Sequence, residues 1–310
     1  MKAVVIDEYG DRSKLHMTNI AIPEIEDDEV LVEVKATSIN PIDWKLREGN
    51  LQDNIPLKFP IVLGWAVAGV ITRTGSAVQD FHTGDKILAR PDLTNRGTYA
   101  EYTAVKEDKL AKLPDNVSFE DAAAIPLAGL TAWQGIYDNL KVEKGQTVLM
   151  QGGAGGVGIF AIQILKHIGA KVITTASAKN ADFLKSLGAD QVIDYHTDDF
   201  SEVLNDIDAV FDTIGGETLA KSYSVLKDGG SLVTIAGGID QELADAKHID
   251  ANGIWLHPNG KQLTELVDLV SRGIVKVVID SVHPFSEEGI VKAHEISESH
   301  HAKGKIVVKM

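Results

Sequence analysis

The sequence predicts an α/β protein built from a domain of short β-strands and a domain with a doubly wound parallel sheet. Three observations predict this class. The chain has 310 residues, the length of about two domains. Residues 1–120 consist of short runs rich in valine and isoleucine, interrupted by glycine, proline and aspartate. Residues 121–250 then alternate strand-like and helix-like segments, as chains do when helices cover both faces of a parallel sheet.

The first 120 residues are predicted to form several short strands. EVLVEVKA (29–36) alternates apolar and polar side chains, as a strand with one buried face does. Further strand-like runs are PIVLGWAVAGVI (60–71), DKILA (85–89) and TYAEYTAV (98–105). Short strands separated by turns indicate an irregular β-barrel or sandwich.

The middle of the chain repeats strand and helix in turn. The predicted strands are TVLMQ (147–151), KVITTA (171–176), QVIDY (191–195), AVFDTI (209–214) and SLVTIA (231–236). The predicted helices between them are 155–168, 179–187, 199–205 and 217–227. In the first helix, Ala161, Ile164 and Ile168 fall on one face and Gly169 ends the helix. After residue 250, helices are predicted at 261–273 and 286–299, and strands at 275–285 and 304–310.

Composition and charge disfavour several classes of protein. The net charge is −15, so nucleic acid and anionic membranes are not expected partners, because both bind clustered positive charge. The chain has no cysteine, which excludes disulfides, thiolate metal sites and a cysteine nucleophile. MKAVVIDEYG, at the N-terminus, lacks the apolar core of a signal peptide. No run of ~18 apolar residues occurs, so the cytoplasm is the expected location.

The strongest motif is a glycine-rich loop between the first predicted strand and helix of the parallel sheet. Gly153, Gly155 and Gly158 fit the pattern G-x-G-x-x-G. In this pattern the glycines let a pyrophosphate approach the backbone, and the helix N-terminus supplies free N–H groups. The alternative is a strand-to-helix turn that binds nothing. The expected pyrophosphate contacts are Gly153, Ala154, Gly155, Gly156, Val157 and Gly158.

The second strand of the parallel sheet indicates which nicotinamide cofactor binds. NAD sites usually place an aspartate or glutamate after this strand, where it accepts hydrogen bonds from the ribose hydroxyls. The chain instead offers Ser177 and Lys179, and Tyr195 follows the third strand. A cation and hydroxyl groups suit a 2′-phosphate, so the sequence predicts NADPH. Alternatively, Ser177 caps the next helix and Lys179 is a solvated surface residue.

Six motifs in a fixed order carry a family resemblance: SINPIDWKLREG, LGWAVAG, AAAIPLAGLTAW, the glycine loop, VFDTIGG and HAKGKIV. With these, the chain resembles, from end to end, the zinc-independent quinone oxidoreductases of the medium-chain dehydrogenase/reductase superfamily. The resemblance implies a GroES-like β-barrel catalytic domain (1–120, with 251–310 returning to it) and a Rossmann dinucleotide-binding domain (121–250), with the active site in the cleft. It also implies a homodimer whose Rossmann sheets join edge to edge, and VTIAGGI (233–239) is the candidate edge.

The expected metal-ligand positions carry unsuitable residues. In zinc-dependent members of this superfamily, a cysteine, a histidine and a further cysteine or acid hold the catalytic metal. By the resemblance, this chain has Asn40 at the cysteine position and Trp65 at the histidine position. A neutral amide is a poor zinc ligand and an indole does not coordinate zinc usefully. The sequence therefore predicts no metal site.

A metal-free site favours acceptors that are already electron-poor. Alcohol oxidation needs a means of stabilising an alkoxide, whereas a quinone or a conjugated enal or enone spreads the charge of an added hydride onto oxygen. The sequence therefore predicts an NADPH-dependent reductase of quinones or α,β-unsaturated carbonyls. Two alternatives stay open: a zinc-type alcohol dehydrogenase, and an NADPH-binding sensor or structural protein without turnover, since members of this family serve as lens crystallins.

Three residues are candidates for catalysis. By the resemblance, Asn40 lies near the nicotinamide and orients its ribose or the substrate; alternatively, it is a turn former before Pro41. Lys45 is a candidate substrate contact in the same loop. Tyr99 is a candidate proton donor or, alternatively, a packed strand tyrosine. Asp43 is interpreted as a structural hydrogen-bonding residue.

The remaining expected cofactor contacts lie at strand ends or rest on the resemblance. Ile214 ends the fourth strand of the parallel sheet, and Ala236 and Gly237 end the fifth, where open α/β sheets bind ligands. By the resemblance, Thr131 lies near the nicotinamide end of the cofactor and Lys305 near the cofactor. The alternatives are an interior helix threonine and an exposed basic residue.

Overall fold

The computed structural model describes residues 1–310, which form two compact units. We call them the terminal unit and the central unit. The terminal unit comprises Met1–Leu130, Pro258–Gly273 and Val277–Met310. The central unit comprises Thr131–His257 and Ile274–Lys276.

The strands and helices are numbered in chain order. The strands are β1 (Lys2–Ile6), β2 (His16–Asn19), β3 (Glu29–Ile39), β4 (Ile61–Val62), β5 (Val67–Thr74), β6 (Lys86–Ala89), β7 (Tyr102–Lys106), β8 (Leu110–Lys112), β9 (Thr147–Met150), β10 (Lys171–Ala176), β11 (Gln191–Asp194), β12 (Ile207–Asp212), β13 (Leu226–Thr234), β14 (Asp250–Gly253), β15 (Ile279–Pro284) and β16 (Lys305–Lys309). The helices are α1 (Pro41–Arg47), α2 (Phe119–Ala124), α3 (Pro126–Trp133), α4 (Gly156–Ile168), α5 (Ala181–Ser186), α6 (Phe200–Val203), α7 (Gly216–Val225), α8 (Gln241–Ala246), α9 (Gly260–Ser271) and α10 (Glu287–Glu298).

Strand β3 is the centre of the terminal unit. It pairs antiparallel with β5, β7 and β16 in a seven-stranded sheet of order β15-β16-β3-β5-β6-β8, with β7 also on β3. Val30, Val32 and Val34 enter one hydrophobic core together, which confirms the alternation predicted for residues 29–36. A second core of this unit packs β1, β4 and the end of β3 against helix α10.

Two strand predictions in the terminal unit are too long. The run 60–71 divides into β4 and β5, because Gly64 adopts a left-handed φ of 90° between them. The run 98–105 becomes a strand only at Tyr102, because the N–H groups of Thr98 and Tyr99 donate to the segment between β4 and β5. Near the C-terminus, β15 begins at Ile279 and not at residue 275.

The central unit contains a six-stranded sheet of order β11-β10-β9-β12-β13-β14 in which all pairs are parallel. The five predicted strands are confirmed. The sixth strand, β14, was not predicted because its sequence, DANG, is short and polar. The prediction of 233–239 as the sheet edge is wrong, since β14 pairs with residues 231–234 of β13 and is itself the edge.

The long predicted helices are confirmed and the short ones are less regular. Helix α4 ends at Gly169, whose φ of 94° is the left-handed conformation that glycine adopts most readily. The helix predicted at 179–187 begins as a 3-10 turn at Ala178–Asn180 before α5, and the one at 199–205 is reduced to α6. The helices of 41–47 and 119–133 were not predicted, and α3 continues as a π-helix over Gln134–Leu140.

Candidate functional site

Asn40 lies between strand β3 and helix α1, and its side chain is buried. Its backbone N–H donates to Asp43 Oδ2 at 2.8 Å, and the Asp43 N–H donates to Asn40 O at 2.9 Å. The side-chain amide donates to Ser38 O at 3.1 Å and accepts from Lys305 Nζ. Pro41 suits the first helical position, where an N–H would have no helical partner. Both ends of the Asn40 amide are therefore held in place.

Lys305 is buried beside Asn40, because strand β16 pairs with β3 through Ile306 and Ile39. Its ammonium also donates to Ile39 O at 2.9 Å. Burial lowers the Lys305 pKa to about 8, although the nearby charge of Asp43 raises it. The alternative of an exposed basic residue at this position is wrong.

Asp43 is a fully buried carboxylic acid in the first turn of α1. Its Oδ2 accepts from the Asn40 N–H and from Tyr99 Oη at 2.8 Å. Burial raises the Asp43 pKa to about 7, against the lowering effects of these hydrogen bonds and of the Lys305 and Arg90 charges. The interpretation of Asp43 as a hydrogen-bonding residue is confirmed, and the acid also titrates near neutral pH, as functional groups often do.

A chain of donors reaches Asp43 from the interior of the terminal unit. Tyr99 Oη lies 3.1 Å from His294 Nε2, and His294 Nδ1 lies 3.0 Å from Arg47 Nη1. Arginine only donates hydrogen bonds, so Nδ1 accepts and the His294 proton lies on Nε2. Nε2–H then donates to Tyr99, whose own proton points at Asp43. Each hydrogen bond of this chain is therefore donated in the direction of the Asp43 carboxyl group.

The two members of this chain farthest from Asp43, His294 and Arg47, interact strongly with their surroundings. Burial, followed by the Arg47 and Arg12 charges, lowers the His294 pKa to about 3, which keeps the imidazole neutral. Arg47, whose side chain is fully buried, also donates to Glu298 at 2.7 Å and to Glu48 at 2.9 Å. Sequence reasoning missed Arg47 and His294, because they lie 247 positions apart and no local pattern joins them.

Tyr99 and Lys45 have different surroundings from those expected of direct catalysts. The Tyr99 hydroxyl is buried and committed to Asp43, and burial raises its pKa well above the usual value. Lys45 is half-buried, and its ammonium lies 5.6 Å from the centre of the Trp44 ring. Catalytic roles for both residues stay predictions.

The region around Asn40 holds further buried polar groups. Trp65 is fully buried in the core of the terminal unit, and its Nε1 has no hydrogen-bond partner. Arg90, which follows β6, donates from Nη1 to Pro91 O at 2.6 Å, and its Nε has no partner. Burial lowers the Arg90 pKa to about 10, while Asp92 and Asp43 raise it. No group of three or more histidine, aspartate or glutamate side chains lies close enough together to hold a metal ion.

In the central unit, the glycine loop joins β9 to α4 in a tight turn. A Cβ on Gly153 would lie 2.1 Å from Thr174 Oγ1, and a Cβ on Gly158 would lie 2.5 Å from Gly152 O. At these two positions a side chain would clash with the protein itself, so the fold requires glycine there. A Cβ on Gly155 would meet only Gly152 O, at 3.4 Å. The loop thus leaves open space at Gly155, beside the start of α4, where free N–H groups suit a pyrophosphate.

The three residues predicted to select the cofactor follow neighbouring strands. Ala176 of β10 pairs with Asp194 of β11, so Ser177 and Tyr195 leave the sheet side by side. Tyr195 is 54% exposed and Lys179 is exposed. Ser177 Oγ accepts from the Asn180 side chain at 3.3 Å and makes no capping bond to the backbone. These groups are open to a ligand, as a site for a 2′-phosphate requires.

The other predicted cofactor residues lie either in the loops that follow β12 and β13 or within helix α3. Ile214, which is 54% exposed, lies against the glycine loop, since a Cβ on Gly152 would come within 3.0 Å of Ile214 Cδ1. Ala236 and Gly237 are exposed after β13, and a Cβ on Gly215 would lie 2.3 Å from Ala236 O, so the loops after β12 and β13 meet. Thr131 is buried within α3. The cofactor roles of all these residues stay predictions.

Two families match parts of the chain. Residues 26–115 match the alcohol dehydrogenase GroES-like domain. Residues 187–308 match the family described as zinc-binding dehydrogenase. None of the helices has the length and apolar character needed to cross a membrane.

Several known proteins are similar over the whole chain. A 2-methylene-furan-3-one reductase of Solanum lycopersicum is 37% identical over 99% of this chain and 79% of its own length. An NADPH-dependent alkenal/one oxidoreductase, chloroplastic, of Arabidopsis thaliana is 37% identical with the same coverage. The structure of a quinone oxidoreductase from Coxiella burnetii superposes with a TM-score of 0.92 at 37% identity, covering 100% of this chain and 99% of that one.

Proposed function

This chain belongs to the medium-chain dehydrogenase/reductase superfamily, and we propose that it is an NADPH-dependent reductase that transfers hydride to a quinone or an α,β-unsaturated carbonyl without a metal. The observation that carries the proposal is the fixed side chain of Asn40, where metal-dependent members have a cysteine ligand. Its amide oxygen is occupied by the Lys305 ammonium, and the indole of Trp65 is buried in the segment between β4 and β5. These groups suit an acceptor that needs hydrogen bonds and positive charge more than a Lewis acid.

Bound NADPH would supply the hydride from its nicotinamide ring. In this proposal the loop Gly153–Gly158 binds the pyrophosphate, with Ile214, Ala236 and Gly237 beside it at the ends of the parallel strands. Ser177, Lys179 and Tyr195 bind the 2′-phosphate. Asn40 and Thr131 orient the nicotinamide end, Lys305 provides a buried positive charge next to Asn40, and Lys45 contacts the substrate.

The first test measures NADPH absorbance with a panel of quinones, enals and enones, each with and without a zinc chelator. We expect absorbance to decay with at least one acceptor class, to decay more slowly with NADH, and to be unaffected by the chelator. Loss of activity with the chelator would favour the zinc-type alcohol dehydrogenase. Tight NADPH binding without oxidation of the cofactor by any acceptor would favour a sensor or structural protein.

The second test is Lys179→Ala. Loss of one charge-assisted hydrogen bond to the 2′-phosphate is expected to raise the KM for NADPH by about 10-fold or more. The KM for NADH should be nearly unchanged, because NADH has no 2′-phosphate. Lys185→Ala, a change at another exposed lysine of the central unit, is the control and should affect neither cofactor. Equal effects of Lys179→Ala on the two cofactors would contradict the assignment.

The assembly and location are proposals of the same kind. We propose that the GroES-like catalytic domain comprises 1–120 and 251–310, and that the Rossmann domain comprises 121–250. We also propose a homodimer joined at the edge of the central sheet, which is β14, and a cytoplasmic location. Light scattering of the purified protein would measure its oligomeric state directly, and an observed monomer would contradict the proposed dimer.

A further inference from the structure

Three neighbouring strands of the central sheet carry glycine at or just after their carboxyl ends. The strands β12, β13 and β14 lie next to one another in this order, and the glycines are Gly215, Gly237 and Gly253. A Cβ on Gly237 would lie 3.8 Å from Gly215 Cα, and a Cβ on Gly253 would lie 4.0 Å from Gly237 O. The glycines therefore follow one another across this edge of the sheet and place no side chains of their own there.

Two large apolar side chains flank this row of glycines, and both are exposed. Ile214, directly before Gly215, is 54% exposed, and Trp255, two residues after Gly253, is 50% exposed. The other tryptophans are buried or half-buried: Trp44, Trp65 and Trp133. Exposed apolar surface at the edge where open α/β sheets bind ligands is typical of a binding site.

The order of the strands gives the direction in which a bound dinucleotide crosses this edge. The glycine loop follows β9, which has β10 and β11 on one side and β12, β13 and β14 on the other. In the proposed function, Ser177 and Tyr195 bind the 2′-phosphate, and they follow β10 and β11. With the pyrophosphate at the loop, the adenosine half therefore lies over β10 and β11. The nicotinamide half then extends in the opposite direction, towards β12 and β13.

In this binding mode the nicotinamide half lies between Ile214 and Trp255. Ile214 adjoins the glycine loop, since a Cβ on Gly152 would come within 3.0 Å of Ile214 Cδ1. Trp255 follows β14, which is three strands from β9, or about 14 Å at the usual strand spacing. A single ribose separates the pyrophosphate from the nicotinamide ring, so the ring ends short of Trp255. Because the acceptor must lie against that ring to take the hydride, Trp255 stands on the side where an acceptor has room.

We propose that Trp255 binds the acceptor and selects acceptors that have an aromatic ring conjugated to the group that is reduced. The inference rests on the proposed function. The face of an indole stacks on another flat ring in an offset arrangement, and such pairs are more favourable than their buried area alone implies. A quinone fused to a benzene ring and an enone that carries an aryl group both have such a face. A small alkyl enal or enone does not.

The competing role for Trp255 is a contact between subunits. Strand β14 is the edge of the central sheet and the proposed joint of the homodimer. Pairing along this edge would use the backbone groups of residues 250–253, whereas Trp255 lies past the carboxyl end of the strand, where such sheets bind ligands. This position favours the acceptor. A residue of the interface would affect the oligomeric state and not the choice of acceptor.

The decisive experiment compares large and small acceptors of one chemical class in Trp255→Ala. The decay of NADPH absorbance gives kcat/KM for a naphthoquinone and a benzoquinone, and for an aryl-substituted and an alkyl-substituted enone. We expect kcat/KM to fall by about 10-fold for the two acceptors with the additional aromatic ring, which is the loss of one stacked pair. It should stay nearly unchanged for the two small acceptors. Each pair shares its reacting group, so the ratio within a pair isolates the effect of the added ring.

Two further variants separate stacking from the burial of apolar area. Trp255→Phe keeps a flat ring and should keep most of the preference for the large acceptors. Trp255→Leu keeps apolar area without a flat face and should resemble Trp255→Ala. The matched control is Val203→Ala, because Val203 is also an exposed apolar residue but ends α6, the helix that leads into the amino end of β12. The control should behave as the wild type.

A binding measurement tests the same inference without turnover. The protein is saturated with NADP⁺, which has no hydride to transfer, and titrated with the naphthoquinone in a calorimeter. Trp255→Ala should weaken this binding by about the same factor of 10. Equal changes for large and small acceptors would overturn the proposal, and so would an altered oligomeric state in light scattering with an unaltered acceptor preference. A wild type that reduces none of these acceptors would instead contradict the proposed function.

Discussion

Replacing Gly155 with alanine is expected to weaken NADPH binding by about 100-fold, which is the loss of about two charge-assisted hydrogen bonds to phosphate. The expected result follows from the difference between the glycines of the loop. Gly155 has a φ of −75°, which alanine adopts without strain, and its Cβ would meet only Gly152 O at 3.4 Å. The fold should therefore accept the methyl group. The same methyl group would keep a pyrophosphate away from the free N–H groups at the start of α4.

The measurement is calorimetric titration of the variant with NADPH, together with thermal unfolding without the cofactor. Gly158→Ala is the contrasting variant, because its Cβ would lie 2.5 Å from Gly152 O and within 2.7 Å of Gly153. That variant should lose stability as well as binding. Lys185→Ala, a change at an exposed lysine of the same unit, should change neither property. Wild-type affinity in a stable Gly155→Ala protein would mean that the loop does not hold the pyrophosphate.

Replacing Arg47 with alanine should lower the free energy of unfolding by about 3–5 kcal/mol, the usual effect of removing one partner of a buried ion pair. The Arg47 side chain is fully buried and joins α1 to two other segments of the terminal unit, the one at Gly10 and helix α10. It donates to Gly10 O at 3.1 Å, to Glu298 at 2.7 Å and to His294 Nδ1 at 3.0 Å. The variant would leave Glu298 without this cation and a cavity where the guanidinium was packed.

Urea unfolding at neutral pH, followed by circular dichroism, measures this loss. The control is Arg272→Ala, because Arg272 forms an exposed pair with Asp268 one helical turn away. Exposed pairs of this kind contribute about 0.5 kcal/mol or less, so the control should unfold with the wild type. A loss below about 1 kcal/mol for Arg47→Ala would mean that the buried network contributes no more than an exposed pair does.

Predictions from the sequence were most successful for features that depend on residues close together in the chain. The glycine loop is contiguous, and the spacing of its glycines predicts the turn because Gly155 and Gly158 approach Gly152 within the same loop. The parallel strands were predicted for the same reason, since each is a short apolar run followed by a helix. Strand β14 was missed, because it is polar and becomes a strand only by pairing with β13.

The type of residue at Asp43 was predicted correctly, but its surroundings were not. Asp43 was identified as a hydrogen-bonding residue from its loop, but its pKa depends on residues that no local pattern connects. Tyr99 lies 56 positions from Asp43 along the chain, and His294 lies 195 positions from Tyr99.

The sequence by itself determined the two-part fold class, the glycine loop, and the amide and indole at the expected metal positions. These features depend on residue type and short-range spacing, which the chain carries in any conformation. Only the tertiary structure decided that Lys305 is buried against Asn40 and that Arg47, His294 and Tyr99 point in series at Asp43. It also decided that this carboxyl group titrates near neutral pH. The physical reason is that burial and the approach of distant charges set the energy of an ionised group, and both come into existence only when the sheet pairs and the helices pack.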